Sequence, residues 1–160
     1  MYAVRLWSVR HARAMERLYA VFEPTLRHLH PLLKRIGYDR LEGPMVAVER
    51  NVKGLLFDCQ MCGRCILSST GMSCPMNCPK SLRNGPCGGV RLNGHCEVKP
   101  EMKCVWVQAW EGSRRMAEGD KIVVPQKPVD HSLKGSSAWL RRTRELAEPG
   151  PAPAPKKAAS

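Results

Sequence analysis

Three features are scarce in this chain of 160 residues: aromatic side chains, long apolar runs, and cysteine outside one short segment. Aromatic residues make up only 6% of the sequence, which is too few for a platform that stacks nucleic-acid bases. No apolar run approaches the roughly 20 residues of a membrane-spanning helix, so no membrane association is expected. The chain is also shorter than the roughly 250 residues of a (β/α)₈ barrel, which excludes a complete barrel enzyme.

The beginning of the chain lacks the apolar core of a secretion signal. Arg10, Arg13, Glu16 and Arg17 interrupt the stretch where that core would stand. We therefore expect a cytoplasmic protein.

Acidic residues are few relative to basic ones. The chain has 26 Lys and Arg against 14 Asp and Glu, which gives a formal net charge of +12. Such a balance is common in nucleic-acid-binding proteins, but here each third of the chain carries a net charge of about +4, without a basic tail. Nucleic acid is therefore an unlikely partner, and an acidic protein partner or an anionic cofactor explains the charge equally well.

Cysteine is confined to residues 59–104, and the other 114 residues contain none. Without a secretion signal, the cytosol keeps thiols reduced, so disulfides are not expected. Thiolates close together in sequence converge readily on a soft metal centre. The sequence therefore predicts eight metal ligands: Cys59, Cys62, Cys65, Cys74, Cys78, Cys87, Cys96 and Cys104.

The spacing of the cysteines favours iron–sulfur chemistry over zinc. Two-residue gaps separate Cys59, Cys62 and Cys65, a pattern typical of [4Fe–4S] clusters, whereas zinc sites usually take separated C-x₂-C pairs. Cys-Pro steps at 74–75 and 78–79 resemble those after cluster ligands in bacterial ferredoxins. Two [4Fe–4S] clusters are the main prediction. Zinc in both sites, or one cluster plus one zinc, remains open, because every choice lowers the formal charge equally.

The division of the ligands between two sites is only partly predicted. Cys59, Cys62 and Cys65 are expected to share one cluster, with Cys78, Cys96 or Cys104 as the fourth ligand. The glycine-rich turn at residues 84–89 is suited to direct backbone N–H groups toward an anionic centre.

Residues 59–106 read CQMCGRCILSSTGMSCPMNCPKSLRNGPCGGVRLNGHCEVKPEMKCVW, and this stretch resembles the cysteine-rich C-terminal domain of methylene-tetrahydrofolate reductase. The phrases STGMSCPMNCPK and NGPCGG carry the resemblance, over about 30% of the chain. In that family the domain is either fused behind a reductase barrel or a separate small subunit beside it. The flanking helices resemble the stand-alone form.

The resemblance implies a non-flavin small subunit that relays electrons to or from a flavin-containing barrel subunit in one-carbon metabolism. It places FMN and folate on that partner, leaves the eight cysteines as metal ligands, and admits further redox or methyl-transfer proteins as partners. The alternative is a structural zinc subunit that stabilises the complex without electron transfer. No catalytic residue is assigned, because the chain has no nucleotide fingerprint and no acid–base pair, so it is not expected to be catalytic alone.

The fold expected is mainly α plus irregular, with helices flanking a loop-rich, metal-stapled cysteine core. Periodicity predicts helices at residues 4–22 and 25–36, the second with Pro24 in its first turn, divided at Pro31 and stopped at Gly37. A third helix is predicted at 45–57, with an apolar stripe that leads into the cysteines: Met45, Val48, Val52 and Leu55.

The remaining elements follow the cysteines. Residues 105–116 are predicted to be helical, with Trp106 and Trp110 sharing a face that serves as core or as a docking surface. Pro125 and Pro128 predict an extended arm over 122–129, and a serine cap predicts a helix over 136–147. The predicted divisions are a helical cap (1–57), the metal-binding module (58–110), a helix with a docking arm (111–148), and a disordered tail (149–160).

Overall fold

The structure is a computed structural model and describes residues 2–148; the predicted disordered tail at 149–160 lies outside the described residues. Within residues 2–148 there are six α-helices and no β-strand, which confirms the mainly helical fold class. The helices are α1 (Tyr2–Arg10), α2 (Ala12–His28), α3 (His30–Ile36), α4 (Tyr38–Phe57), α5 (Val105–Ser113) and α6 (Ala138–Ala147).

The first predicted helix is divided in the structure. It was expected to be continuous over 4–22, but α1 ends at Arg10 and α2 begins at Ala12, because His11 has a non-helical backbone with φ of −103°. The two parts contact different neighbours: α1 packs on α4 and α5, whereas α2 packs on α6. A single straight helix does not reach both surfaces, so the break redirects the chain.

The prolines near the N-terminal helices behave in two ways. Pro24 was expected in the first turn of a helix, but α2 continues through it to His28. Two contacts with α6 hold this part of α2, since Phe22 packs edge-on against Trp139 and Glu23 pairs with Arg142. Pro31 stands in the first turn of α3, so the predicted division is confirmed.

The fourth helix shows the largest departure from the sequence prediction. Gly37, with φ of +99°, ends α3 as predicted, but α4 begins at once at Tyr38 rather than at residue 45. The apolar stripe predicted on this helix is not part of the described core, because Val48, Val52 and Leu55 are exposed while Glu49 and Lys53 are buried. The polar face of α4 therefore turns toward the cysteine module and the apolar stripe toward an open groove.

The cysteine module is built from loops, as expected. Between α4 and α5 the described structure contains two 3₁₀ turns (Leu67–Ser69 and Pro75–Asn77) and two isolated antiparallel bridges. Two apolar clusters lie inside it. One joins the module to α2 and α4 through Ala12, Phe57, Leu67, Met72 and Cys74, and the other surrounds Trp106, Ala109 and Cys104.

The segment after the module wraps back over it. Helix α5 ends at Ser113, three residues before its predicted end, and a 3₁₀ turn occupies Gly119–Val123. Residues 124–130 have no regular structure, which agrees with an extended arm over most of its predicted length. Ser137 caps α6 by accepting the Leu140 N–H, so the serine cap is confirmed.

No helix in residues 2–148 combines the length and the apolar character required to cross a membrane.

The module is fixed to α5 by a close backbone contact between two glycines. A Cβ atom on Gly112 would lie 2.0 Å from the carbonyl oxygen of Gly71, and one on Gly71 would lie 2.2 Å from the carbonyl oxygen of Ala109. Neither position has room for a side chain. The STGMSC loop therefore rests directly on the α5 backbone.

We predict that Gly112→Ala destabilises the protein by about 1–3 kcal/mol, because the new methyl group forces two backbones apart. Gly54→Ala is the matched control. Gly54 is also helical, but its added Cβ meets nothing within 4 Å, so this variant gains about 0.5–1 kcal/mol from helix propensity. Urea unfolding of both variants measures the difference. A Gly112→Ala protein as stable as Gly54→Ala contradicts the contact.

Candidate metal centre

Four cysteines line one cavity at the end of α4. Asp58 ends that helix in the left-handed conformation (φ 53°), and the chain then supplies Cys59, Cys62 and Cys65 from one loop. Cys74, which follows the 3₁₀ turn at Leu67–Ser69, completes the lining. The structure thus brings Cys74 to this cavity, whereas the sequence analysis expected Cys78, Cys96 or Cys104 as the fourth member.

The loop that carries the first three cysteines needs unusual backbone conformations. Met61 and Gly63 have φ values of +47° and +73°. A Cβ on Gly63 would lie 2.3 Å from the carbonyl oxygen of Leu133, so only glycine fits. The Gly135 N–H donates to the Met61 carbonyl at 2.8 Å. The segment just after the arm therefore braces the loop in its left-handed shape.

Several N–H groups point at cysteine sulfurs, among them the Met76 N–H at Cys74. The backbone N–H groups of Met61 and Gly89 donate to the sulfurs of Cys59 and Cys87, each at 3.4 Å. The Arg83 guanidinium lies 3.8 Å from the Cys62 sulfur. Such donors stabilise a thiolate over a neutral thiol, and they tune a metal that the thiolate binds.

Arg83 is a buried residue that the sequence analysis missed. It is only 6% exposed, and besides facing Cys62 it donates to the carbonyl oxygens of Arg64 at 2.7 Å and Lys127 at 2.9 Å. One guanidinium therefore ties the cysteine loop to the arm. The planar fork of an arginine is suited to three bonds at once, which a lysine does not provide.

Burial keeps two of the cavity thiols, Cys59 and Cys74, protonated in the absence of a cation. Burial raises the pKa of Cys59 to about 11, although the Met61 N–H opposes the rise. Burial, with the nearby Cys59, raises the pKa of Cys74 to about 12. A metal that binds these sulfurs must therefore displace their protons, so metal binding and proton release are coupled here.

A buried ion pair stands beside the same cavity. The Lys53 ammonium lies 2.5 Å from a Glu49 carboxylate oxygen, and both residues line the cavity while almost fully buried. Burial lowers the pKa of Lys53, but the Cys65 thiol and Glu49 outweigh it, and the net pKa is raised. The other Glu49 oxygen accepts from the Ser137 hydroxyl at 2.7 Å, which joins α4 to α6.

Three of the remaining cysteines lie in the second half of the module. Cys96 forms an isolated bridge with Val90, and the Cys104 N–H donates to the Gly94 carbonyl at 2.9 Å. Cys87 and Cys104 both belong to the apolar cluster around Trp106. Lys80 experiences the charges of Cys87 and Cys96, and its ion pair with Glu97 raises its pKa. Cys78 is buried just after the 3₁₀ turn at Pro75–Asn77.

Among residues 2–148, no three cysteine, histidine or acidic side chains are close enough together to hold a single metal ion. The first cavity therefore collects four thiols without closing them around one point.

An apolar groove of about 570 Å³ adjoins the second half of the module. Trp106 and Trp110 both line it, together with Cys87 and the turn that leads into the arm. Trp106 is buried, whereas Trp110 is 54% exposed. The two indoles that were predicted to share a face therefore divide the expected roles, one in the core and one at the surface.

The fold and the cysteine arrangement are those of a helical, cysteine-rich domain. The sequence matches the methylene-tetrahydrofolate reductase C-terminal family over residues 38–132, more than half of the chain, and the protein belongs to that family. Neither a curated protein nor a solved structure matches the chain significantly.

We predict that Lys53→Met destabilises the protein by about 3–5 kcal/mol, because the Glu49 carboxylate is left buried without its cation. The double variant Glu49→Gln/Lys53→Met removes the stranded charge and should recover most of this loss. Urea unfolding at neutral pH compares the two. A single variant that loses under about 1 kcal/mol contradicts the importance of the pair.

Proposed function

We propose that this chain is the non-flavin small subunit of a methylene-tetrahydrofolate reductase complex, and that it carries iron–sulfur clusters that relay electrons to or from a flavin-containing barrel subunit. The observation that carries the proposal is the cavity lined by Cys59, Cys62, Cys65 and Cys74. Its four sulfur donors fit a [4Fe–4S] cluster, which requires four thiolates spread over its corners. Such a cluster supplies one-electron transfer when it is bound.

The surroundings of this cavity also suit an anionic centre. Lys53 and Arg83 line it as buried cations, and only Glu49 opposes them. A [4Fe–4S] cluster with four thiolates carries about two negative charges, which these cations would offset in part. Apolar cover from Ile66 and Met76 limits the approach of water to the sulfurs.

The second centre is assigned to Cys78, Cys87, Cys96 and Cys104. The support is that Cys87, Cys96 and Cys104 lie in one half of the module, while Cys78 is the cysteine that remains. The Gly89 N–H, which donates to Cys87, would stabilise a thiolate there.

Metal analysis of anaerobically purified protein tests the proposal. We expect about eight irons and eight sulfides per chain, together with broad absorption in the visible range, because two [4Fe–4S] clusters require them. About two zincs per chain without iron would contradict the electron relay and would favour a structural subunit that stabilises the complex. Four irons with one zinc would leave a relay through a single cluster.

The ligand assignment has its own test. Cys62→Ser should remove about half of the iron and lower the thermal stability, since metal binding contributes folding energy directly. Cys104→Ser should remove the other half and leave the first centre loaded. A Cys62→Ser protein with full metal content and normal thermal stability contradicts the assignment.

Docking of the barrel subunit is assigned to the apolar groove beside Cys87. The groove presents the exposed Trp110 with Val123 and Val124, and buried aromatic side chains commonly anchor stable interfaces. Every residue that lines it falls within the range that matches the family.

We predict that Trp110→Ala weakens binding of the flavin-containing reductase subunit at least about tenfold, because it removes the central apolar anchor. Trp7→Ala is the matched control, since Trp7 is 45% exposed on α1 and lies outside the groove. Isothermal titration calorimetry measures both affinities. Equal effects of the two substitutions would exclude the groove as the docking site.

A further inference from the structure

A basic cavity of about 490 Å³ opens beside Cys65, on the surface formed by the cysteine loop, α2, α6 and the arm. It is distinct from the apolar groove, because its lining is mostly polar. The cations that line it come from all of these elements except α2: Arg64, Arg83, Lys121, Lys127, Arg141 and Arg142.

Carboxylates neutralise only part of this charge. Glu23 pairs with Arg142 at 2.9 Å, and Glu145 lies 3.9 Å from Arg64; these are the two acidic residues in the lining. Glu118, outside the lining, pairs with Lys121. Arg141 donates to the hydroxyl of Ser136, a neutral partner. The cavity therefore keeps an excess of positive charge at an open surface.

Cys65 gives this cavity access to the proposed redox centre. The residue lines the four-cysteine cavity, the basic cavity, and an apolar groove of about 350 Å³ between α2 and α4. The apolar groove presents the exposed side chains of Leu18, Val48 and Val52. A protein that docks on this face would contact a small apolar patch flanked by cations, with Cys65 between them.

We propose that this face is the docking site of an acidic one-electron redox protein, a partner separate from the flavin-containing subunit. The inference rests on the proposed function, in which each docked carrier loses one electron as the thiolate-bound centre gains one, or the reverse. Complementary charge speeds such encounters and orients them, while a small contact area lets the carrier leave after transfer.

The composition of the lining favours an acidic protein over nucleic acid. Tyr19 is the single aromatic residue in it, which gives no platform for stacked bases. The feature is also a compact cavity rather than an extended stripe of cations that follows a phosphate backbone.

The origin of the lining separates this face from the groove near Trp110. Tyr19, Glu23, Arg141 and Arg142 lie outside residues 38–132, the range that matches the family. The cavity is thus completed by α2 and α6, helices that lie outside the range that matches the family. We expect the docking site for this protein's acidic electron carrier at the cavity that α2 and α6 complete.

The test uses the metal-loaded full chain and the acidic protein flavodoxin as probe. Isothermal titration calorimetry at about 20 mM and about 300 mM salt should show binding that weakens at least tenfold as salt rises. Lys121→Glu/Lys127→Glu should weaken low-salt binding at least about tenfold. The matched control is Lys99→Glu/Lys103→Glu, which makes the same charge change at exposed lysines outside the cavity and should change binding less than about twofold.

The outcomes separate this inference from the proposed function. Protein that contains zinc instead of iron, yet binds flavodoxin with the expected variant effects, removes the relay and keeps the acidic docking face. Iron-loaded protein that does not bind flavodoxin, or binds it equally in both variant pairs, overturns the docking inference alone. Binding of duplex DNA that is lost in the cavity pair, with no flavodoxin binding, also overturns it and assigns the cavity to nucleic acid.

Discussion

The rest of the structure depends on bringing three thiols from seven consecutive residues to one cavity. The loop achieves this only with left-handed backbone at Asp58, Met61 and Gly63, and such conformations cost about 1–2 kcal/mol at each non-glycine residue. The loop does not hold this shape alone. The Leu133 carbonyl presses against Gly63, the Gly135 N–H binds the Met61 carbonyl, and Arg83 binds both the loop and the arm.

Electrostatics impose a second constraint on the same cavity. Burial raises the pKa of Cys59 and Cys74, so without a metal these two thiols are neutral at physiological pH. Lys53 and Arg83 then stand buried with Glu49 as the one carboxylate in the cavity lining. Uncompensated charge in a low-dielectric interior is costly. An anionic thiolate-bound centre, as in the proposed function, provides the negative charge that this arrangement lacks.

Much of the helical fold was predictable because its signals are local. Gly37 ends a helix with a positive φ, Pro31 begins one, and Ser137 caps another, all within a few residues of the positions predicted. Predictions that depend on distant contacts were less successful. The apolar stripe of Val48 and Val52 faces a groove rather than the core, because Glu49 and Lys53 occupy the face of α4 that lines the four-cysteine cavity.

In the candidate site, too, local signals predicted the structure and distant contacts did not. The spacing of Cys59, Cys62 and Cys65 predicted a shared site, and the three do line one cavity. Cys74 was not predicted as the fourth cysteine of this cavity. Eight residues separate it from Cys65, and the sequence does not reveal that the 3₁₀ turn brings the chain back to the cavity. Arg83 and Lys53 carry no sequence signal of their role. Arg83 acts through the carbonyl of Lys127, which lies far along the chain. Lys53 acts through Glu49, which accepts a hydrogen bond from Ser137 at the start of α6.

Two surfaces of the chain differ in character: one is apolar and the other is basic. In the proposed function, the apolar groove beside Cys87 suits a lasting partner, because burying Trp110 removes a large apolar area from water. The basic cavity beside Cys65 suits a partner that comes and goes, because exposed charge favours rapid encounter over tight binding. Each face adjoins a different group of cysteines. In the proposed function, an electron that enters at one face and leaves at the other would therefore pass through the cysteine module that lies between them.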